Sequence, residues 1–341
     1  MTALRGATVS LLGKRFCLAT KTGVVLATVR EKLLETTQPP GAPAGNAWCL
    51  ARDHFDRTIL YAGYLDHGII RSLDGGDTWE ICAPQEAKGE EIWSLASSPW
   101  KSRAIYAGTS GPRLFRSEDS GQSWEEIGGI RNVPGAEHWS FPEPPHVAHI
   151  RSFAFDPKVK EVLYVGVEEG GVLRTRDEKT WEALNEGLYE DIHTLLPSPQ
   201  ESDRLYVTTG AGFYLSENAG LSWEFIETGD RSYVVPLAVH PGDQEVLLTA
   251  GAATPPPGWA GRKGASAFVF KSTDRGKTWE AAKGDLFPLR SMVMALAFDP
   301  SDPDRVYGGS THGEILISED GGSGWELLGT TKEGIRSILP I

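Results

Sequence analysis

The sequence predicts an all-β fold, a seven-bladed β-propeller whose ring is closed by the C-terminal strand joining the N-terminal blade. Three observations predict it. A motif of the form Ser-x-Asp-x-Gly-x-Thr-Trp recurs six times, with copies roughly 40 to 58 residues apart, the range of one four-stranded blade. Short runs of alternating apolar residues, separated by Pro, Asp and Gly, surround the copies. Such runs are strands that bury one face, and the residues between them are turn formers. Finally, an inner strand at the C-terminus has nothing after it, and a strand pair near the N-terminus has no inner strand before it.

The copies read SLDGGDTW (Ser72 to Trp79), SEDSGQSW (Ser117 to Trp124), SENAGLSW (Ser216 to Trp223), STDRGKTW (Ser272 to Trp279) and SEDGGSGW (Ser318 to Trp325). TRDEKTW (Thr175 to Trp181) is one residue short. Their acidic or amide residues are Asp74, Asp119, Asp177, Asn218, Asp274 and Asp320. Each can accept backbone N–H bonds inside its turn, the Gly supplies positive φ, and the Trp packs between blades. The motifs are therefore expected to be turn staples with no catalytic role.

A repeat unit reads as inner strand A, then B and C, the motif, then D. In the last copy Met292 to Phe298 is A, Arg305 to Gly309 is B, Glu314 to Ser318 is C and Trp325 to Leu328 is D. The other inner strands are Asn46 to Leu50, Glu91 to Ala96, His149 to Ala154, Asp191 to Leu196 and Tyr233 to Ala238. The seventh blade is split between 14–35, where Phe16 to Arg30 supplies B and C, and 334–341, where Gly334 to Leu339 supplies A. Arg30 stands where that blade's motif Asp would be, so its staple is lost. The whole chain, 1–341, reads as one propeller domain.

Composition narrows the function. The chain has 341 residues, 40% hydrophobic, with 39 Gly and 22 Pro and no long apolar run, which suits a globular protein of many short strands. A formal net charge of −13 without a basic cluster argues against wrapping nucleic acid or an anionic membrane, since both need a dense cationic face. The N-terminal MTALRGATVSLLGKRF has a short apolar patch broken by Gly13, Lys14 and Arg15 and no small-residue cleavage site, so a cytoplasmic location is expected. Cys17, Cys49 and Cys82 sit in apolar strand-like runs and are expected to be buried free thiols.

These motifs resemble the Asp-box, or bacterial neuraminidase repeat, family, which occurs in sialidases, sortilin-like receptors and photosystem assembly factor-like proteins. The resemblance spans nearly the whole chain. FDPSDPDRVYGGS (Phe298 to Ser310) before a box is most similar to the sortilin and assembly-factor branch. It implies a propeller with Asp-box turns and is nearly silent on activity. A sialidase of the family would carry Arg-Ile-Pro near its start, three arginines for the substrate carboxylate and a Tyr–Glu nucleophile pair. Arg-Ile-Pro is absent, the other sets cannot be placed, and seven blades stand where sialidases have six, so sialidase activity is not implied. The assembly-factor likeness implies a protein partner instead.

The face carrying the D–A and B–C loops is the usual propeller site, opposite the motif turns. Alternate residues of a strand share a face, so aligning the inner strands on the small residues Cys49, Ser94, Ser152, Thr194, Pro236, Ala295 and Ser337 shows what meets the channel. The position before reads Trp48, Trp93, Arg151, His193, Val235, Met294 and Arg336. Two residues earlier, nearer the mouth, it reads Asn46, Glu91, His149, Asp191, Tyr233, Met292 and Gly334. Between them lie Ala47, Ile92, Ile150, Ile192, Val234, Val293 and Ile335, the expected blade core. Loops of the same face add His67, His312, His138, His146, Glu168 and Glu169.

Two chemistries fit this mixture. His149, His193 and Asp191, or Glu91, could hold a divalent metal, the one cofactor the pattern suggests. Alternatively Arg151 and Arg336 clamp a carboxylate or phosphate, Trp48 and Trp93 stack a sugar or an aromatic ring, and Tyr233, His67 and His312 complete the wall. His193 poised by Asp191, with Glu91 and His149 beside it, would then supply the general acid or base. The loops from Ile130 to Val147, with Trp139 and Phe141, and from Ala252 to Ser266, with Trp259, could cover the mouth. The expected function is binding of a small polar or anionic ligand, a sugar derivative among the candidates, at the channel mouth; whether the site is catalytic is left open by the sequence, and a catalytic site would be that of a glycosidase-like hydrolase or lyase. The alternative is a non-catalytic protein-interaction or assembly scaffold.

Overall fold

Each alternating run becomes a strand, and consecutive strands pair antiparallel through short turns. In the computed structural model, which describes residues 11–31 and 33–341, these strands form seven four-stranded sheets. Residues 1–10, most of the segment on which the cytoplasmic expectation rests, lie outside the described residues. The split blade has the order Ile335–Pro340, Arg15–Thr20, Gly23–Val29, Leu34–Thr37, so the last strand of the chain pairs with the first. Closure of this kind removes the open edge that a linear array of sheets would expose.

The motif turns are held the same way in each full copy. Ser117 Oγ accepts the Gly121 N–H at 2.7 Å and donates to Asp119 Oδ1 at 2.8 Å, while Asp119 accepts the N–H groups of Gln122 and Ser123 at 2.9 and 2.8 Å. The serines at 72, 216, 272 and 318 accept from Gly76, Gly220, Gly276 and Gly322 in the same manner. In the short copy Glu178, at φ 56°, takes the glycine's place and donates its N–H to Thr175 Oγ1 at 2.9 Å. Three motif indoles reach the preceding blade: Trp124 donates to Cys82 O, Trp181 to Gly128 O and Trp223 to Leu184 O, at 2.6, 3.0 and 2.7 Å. Arg30, where the staple is lost, pairs with Glu35 on the surface.

Between blades the packing is close. Ala47, Ile92, Ile150, Ile192, Val234, Val293 and Ile335 are all 0% exposed. Glycines on strand B make room for them: a Cβ on Gly63, Gly108, Gly166 or Gly309 would fall 2.6, 2.5, 2.7 or 2.5 Å from the γ-methyl of Ile92, Ile150, Ile192 or Ile335 of the next blade. The small residues of the inner strands also bridge blades. Ser94 Oγ donates to Ile150 O at 2.6 Å, Ser152 Oγ to Leu195 O at 3.2 Å and Thr194 Oγ1 to Val235 O at 2.8 Å.

A plain alternation, as expected from the sequence, is interrupted in every inner strand. The register with strand B slips at Trp48, Trp93, Arg151, His193, Met294 and Arg336, and across Val235–Pro236. An extra residue in one strand is left unpaired and its side chain is re-aimed. Seven bulges therefore sit at the seven channel positions.

All three cysteines are free; Cys17 and Cys82 are buried and Cys49 is partly so. Burial pushes the thiols of Cys17 and Cys49 up to about 12, far from a reactive thiolate.

Candidate functional site

A cavity of about 560 Å³ opens at the mouth. Its floor and walls include Trp48, Trp93, Arg151, Glu168, Tyr233 and Arg336, and His312 stands at its rim. Both inserted loops roof it, one through Phe141 and Glu143 and the other through Pro256 and Trp259, whose ring meets Tyr233 edge-on at 5.8 Å. Trp259 is pinned by its indole donating to Thr254 O at 2.7 Å, within a 3-10 turn, Pro256–Ala260.

Two guanidinium groups dominate the floor. Arg336 lies over Trp48 at 4.2 Å, and Arg151 lies 5.0 and 5.5 Å from the rings of Trp48 and Trp93. The two indoles meet at 4.4 Å, and Trp93 stacks on His149 at 3.6 Å. Stacking on an aromatic face steadies a cation but does not neutralise it. Arg151 has Glu168 at 3.5 Å, whereas Arg336 makes no ion pair among the described residues and donates to Asn46 Oδ1 at 2.6 Å. Burial, with the Arg151 charge adding to it, lowers Arg336 to about 10.

Behind this wall lies a buried polar cluster. Glu168 Oε2 accepts from His149 Nε2 and faces Arg151. Burial opposes the charge of Glu168, but Arg151 and His149 outweigh it and hold the carboxyl well below its ordinary range. His193 donates from Nδ1 to Val234 O at 2.6 Å, which leaves Nε2 as the lone-pair nitrogen. Nε2 lies 3.5 Å from Asp191 Oδ1 and 3.9 Å from Glu168 Oε1, and it has no hydrogen-bond partner. Burial lowers His193 to about 4 and, with Glu168 nearby, raises Asp191 to about 7. Glu169, at φ 65°, is likewise raised to about 7, by burial and then by Asp191.

The structure thus divides the residues singled out from the sequence. Trp48, Trp93, Arg151, Arg336, Tyr233 and His312 line one cavity. His149, Asp191 and His193 gather behind it around Glu168. Glu91 accepts the Trp93 indole at 2.9 Å, which orients that ring, and His67 donates to Ala44 O at 2.9 Å on the exposed surface. Glu168 is the member that sequence alignment of the inner strands does not flag, because it ends strand B. Asn46, Glu143, Lys21 and Thr311 also reach the site or its partners.

No family model matches the chain. Among curated proteins it is similar to an oligoxyloglucan-reducing end-specific xyloglucanase of Emericella nidulans, 26% identical over 208 residues, which is 53% of this chain and 24% of that protein. It is also similar to a xyloglucanase of Paenibacillus sp., 34% identical over 142 residues, 38% of this chain and 13% of that one. The chain thus spans about a quarter or less of the length of these relatives. Among solved structures, a GH74 enzyme from Niastella koreensis superposes with a TM-score of 0.62 at 18% identity, covering 95% of this chain and 55% of that one. YCF48 bound to D1 peptide superposes with a TM-score of 0.56 at 19% identity, covering 82% and 81%. These likenesses in structure establish the propeller fold, and the sequence relatives are xyloglucanases.

Proposed function

We propose that this propeller is a carbohydrate-directed hydrolase whose mouth cavity grips a saccharide bearing an anionic group. One observation carries the reading: two guanidinium groups share the cavity, and of the two only Arg151 has a carboxylate, Glu168, within ion-pair distance. A partly desolvated cation without a partner is costly, and a ligand carboxylate would supply the missing charge to Arg336. Trp48 and Trp93 would back the sugar ring, as indoles do against apolar sugar faces. The similarity to xyloglucanases supports a carbohydrate ligand, and the anionic group rests on the two guanidinium groups alone. Hydrolysis needs an acid and a base at the scissile bond, and the carboxylates lining the cavity are Glu143 from the lid and Glu168 from the floor. We also read the stapled turns as Asp boxes, on the Ser–Asp–Gly hydrogen bonds shared by the full copies.

The test is a panel of neutral xyloglucan oligosaccharides and uronic-acid oligosaccharides, scored by thermal stabilisation and by release of new reducing ends. An acidic ligand at a hundred times its Kd should add about 2.7 kcal/mol of stability. At the same ligand concentration that gain should fall to about 1.3 kcal/mol or less in Arg336→Ala. Binding of neutral oligosaccharides alone, unaffected by Arg336→Ala, would contradict the reading.

A second reading has one observation in its favour: the YCF48 structure, with its bound peptide, matches this chain over similar fractions of both, 82% and 81%. The cavity would then hold an acidic or C-terminal carboxylate of a protein partner, without catalysis. Fluorescence anisotropy with peptides bearing a free or an amidated C-terminus separates the two, since a saccharide site gives no signal with either.

A further inference from the structure

We propose that Glu168, Asp191 and His193 form a binding site for one divalent transition-metal ion in the wall of the mouth, independent of whether the cavity takes an anionic saccharide. Their candidate ligand atoms all lie within 4.8 Å of one another. An ion bound at ~2.1 Å to each would set its ligands ~3–3.5 Å apart, so the observed 3.5 and 3.9 Å need only a small contraction.

The orientation of each group points to a missing partner. His193 is fully buried, and its Nε2 lone pair faces both carboxylates with no hydrogen bond. Its other nitrogen is fixed by Val234 O, the arrangement by which a backbone carbonyl sets the tautomer of a metal-binding imidazole. Glu168 commits one oxygen, Oε2, to His149 and Arg151 and leaves Oε1 directed toward His193. A carboxylate held in this way from behind is likewise a usual second layer around a metal.

The rival explanation is an Asp191 carboxyl that donates its proton to Nε2. At 3.5 Å that contact is too long for an O–H···N hydrogen bond. The Arg151 cation beside Glu168 opposes a second positive charge, but two carboxylates meet the dication directly. The donor set, two carboxylate oxygens and one imidazole, suits Mn²⁺ or Zn²⁺ better than the all-oxygen preference of Ca²⁺ or Mg²⁺.

The experiment is calorimetric titration of the chelator-stripped, tag-free protein with MnCl₂ and, separately, ZnCl₂, with the Mn²⁺ result checked by loss of the free-ion electron paramagnetic resonance signal. About one equivalent should bind, at least tenfold more weakly in Asp191→Asn and in His193→Gln, and unchanged in Arg336→Ala. Asp191 is partly exposed, so Asp191→Asn carries the test even if His193→Gln fails to fold. Absence of binding by either ion, or binding that persists at native strength in Asp191→Asn, as surface histidines such as His138 would give, overturns the proposal. Because the probe is the metal alone, failure of the anionic-saccharide reading leaves this outcome untouched, and the reverse holds as well.

Discussion

At one end of the blades the motif serine accepts the same glycine N–H in five turns, at 2.7 to 2.9 Å, whereas at the other end no two blades present the same pair of channel side chains. The pairs run Asn46 and Trp48, Glu91 and Trp93, His149 and Arg151, Asp191 and His193, Tyr233 and Val235, Met292 and Met294, Gly334 and Arg336. Both ends hang from one framework of buried inner strands. The difference teaches where each kind of residue is free to vary: the turn end closes its own hydrogen bonds and must repeat, while six of the seven bulged positions line a cavity and need not.

Four changes would break or sharpen that contrast. The largest effect is expected in the shared framework. Gly108→Val would place a Cβ 2.5 Å from Ile150, and overpacking there should cost about 3 kcal/mol in chemical denaturation. Next, Arg336→Ala should weaken binding of a uronic-acid oligosaccharide by about 1.5–3 kcal/mol, more than tenfold, while the unfolding free energy stays level or rises as a partly buried, unpaired charge is removed. At the opposite end, Ser117→Ala leaves the Gly121 N–H without its acceptor and should cost about 1–2 kcal/mol of stability, with ligand affinity unchanged.

The smallest effect is electrostatic. Hydrogen bonding, first from the Thr78 hydroxyl, holds Asp74 down at about 2 against an ordinary 3.8. A carboxyl lowered on folding stabilises the protein above its unfolded pKa, and that stability drains away as pH falls from about 3.8 through about 2. Asp74 is nearly exposed, so solvent screening keeps the gain small. Melting curves of Asp74→Asn should therefore fall less steeply than the parent's over that window, and an identical slope would show that the turn carboxylate does not matter.

The blade frame could be read from the sequence because its signals are local: a turn motif at each C–D corner, period-two alternation, and a row of small residues along the inner strands. That row aligned the channel positions, and the structure gives it a cause in the hydroxyls of Ser94, Ser152 and Thr194, which bond to the next blade. The bulges were not legible, since a one-residue slip shows only against the partner strand. Glu168 was legible merely as a mouth-loop acid for a similar reason. One step past the strand B residue that pairs with the blade-core position, the blades carry Lys21, Leu65, Ser110, Glu168, Gly210, Ala252 and Thr311, and aligning that second row would have flagged Lys21 and Glu168 as its charged members. The histidines posed the opposite problem. The alternation placed His149 and His193 on the channel face, but Trp93 stacks over one and the other lies fully buried, so their depth follows from neighbours on other blades.

Binding isotherms of the same uronic-acid oligosaccharide, taken side by side on Arg336→Ala and Ser117→Ala, test the division between the two ends most directly. The account predicts that Ser117→Ala melts lower yet binds like the parent, and that Arg336→Ala melts no lower yet binds at least tenfold more weakly. Undiminished binding by Arg336→Ala, or a loss of affinity in Ser117→Ala that tracks its loss of stability, would contradict it.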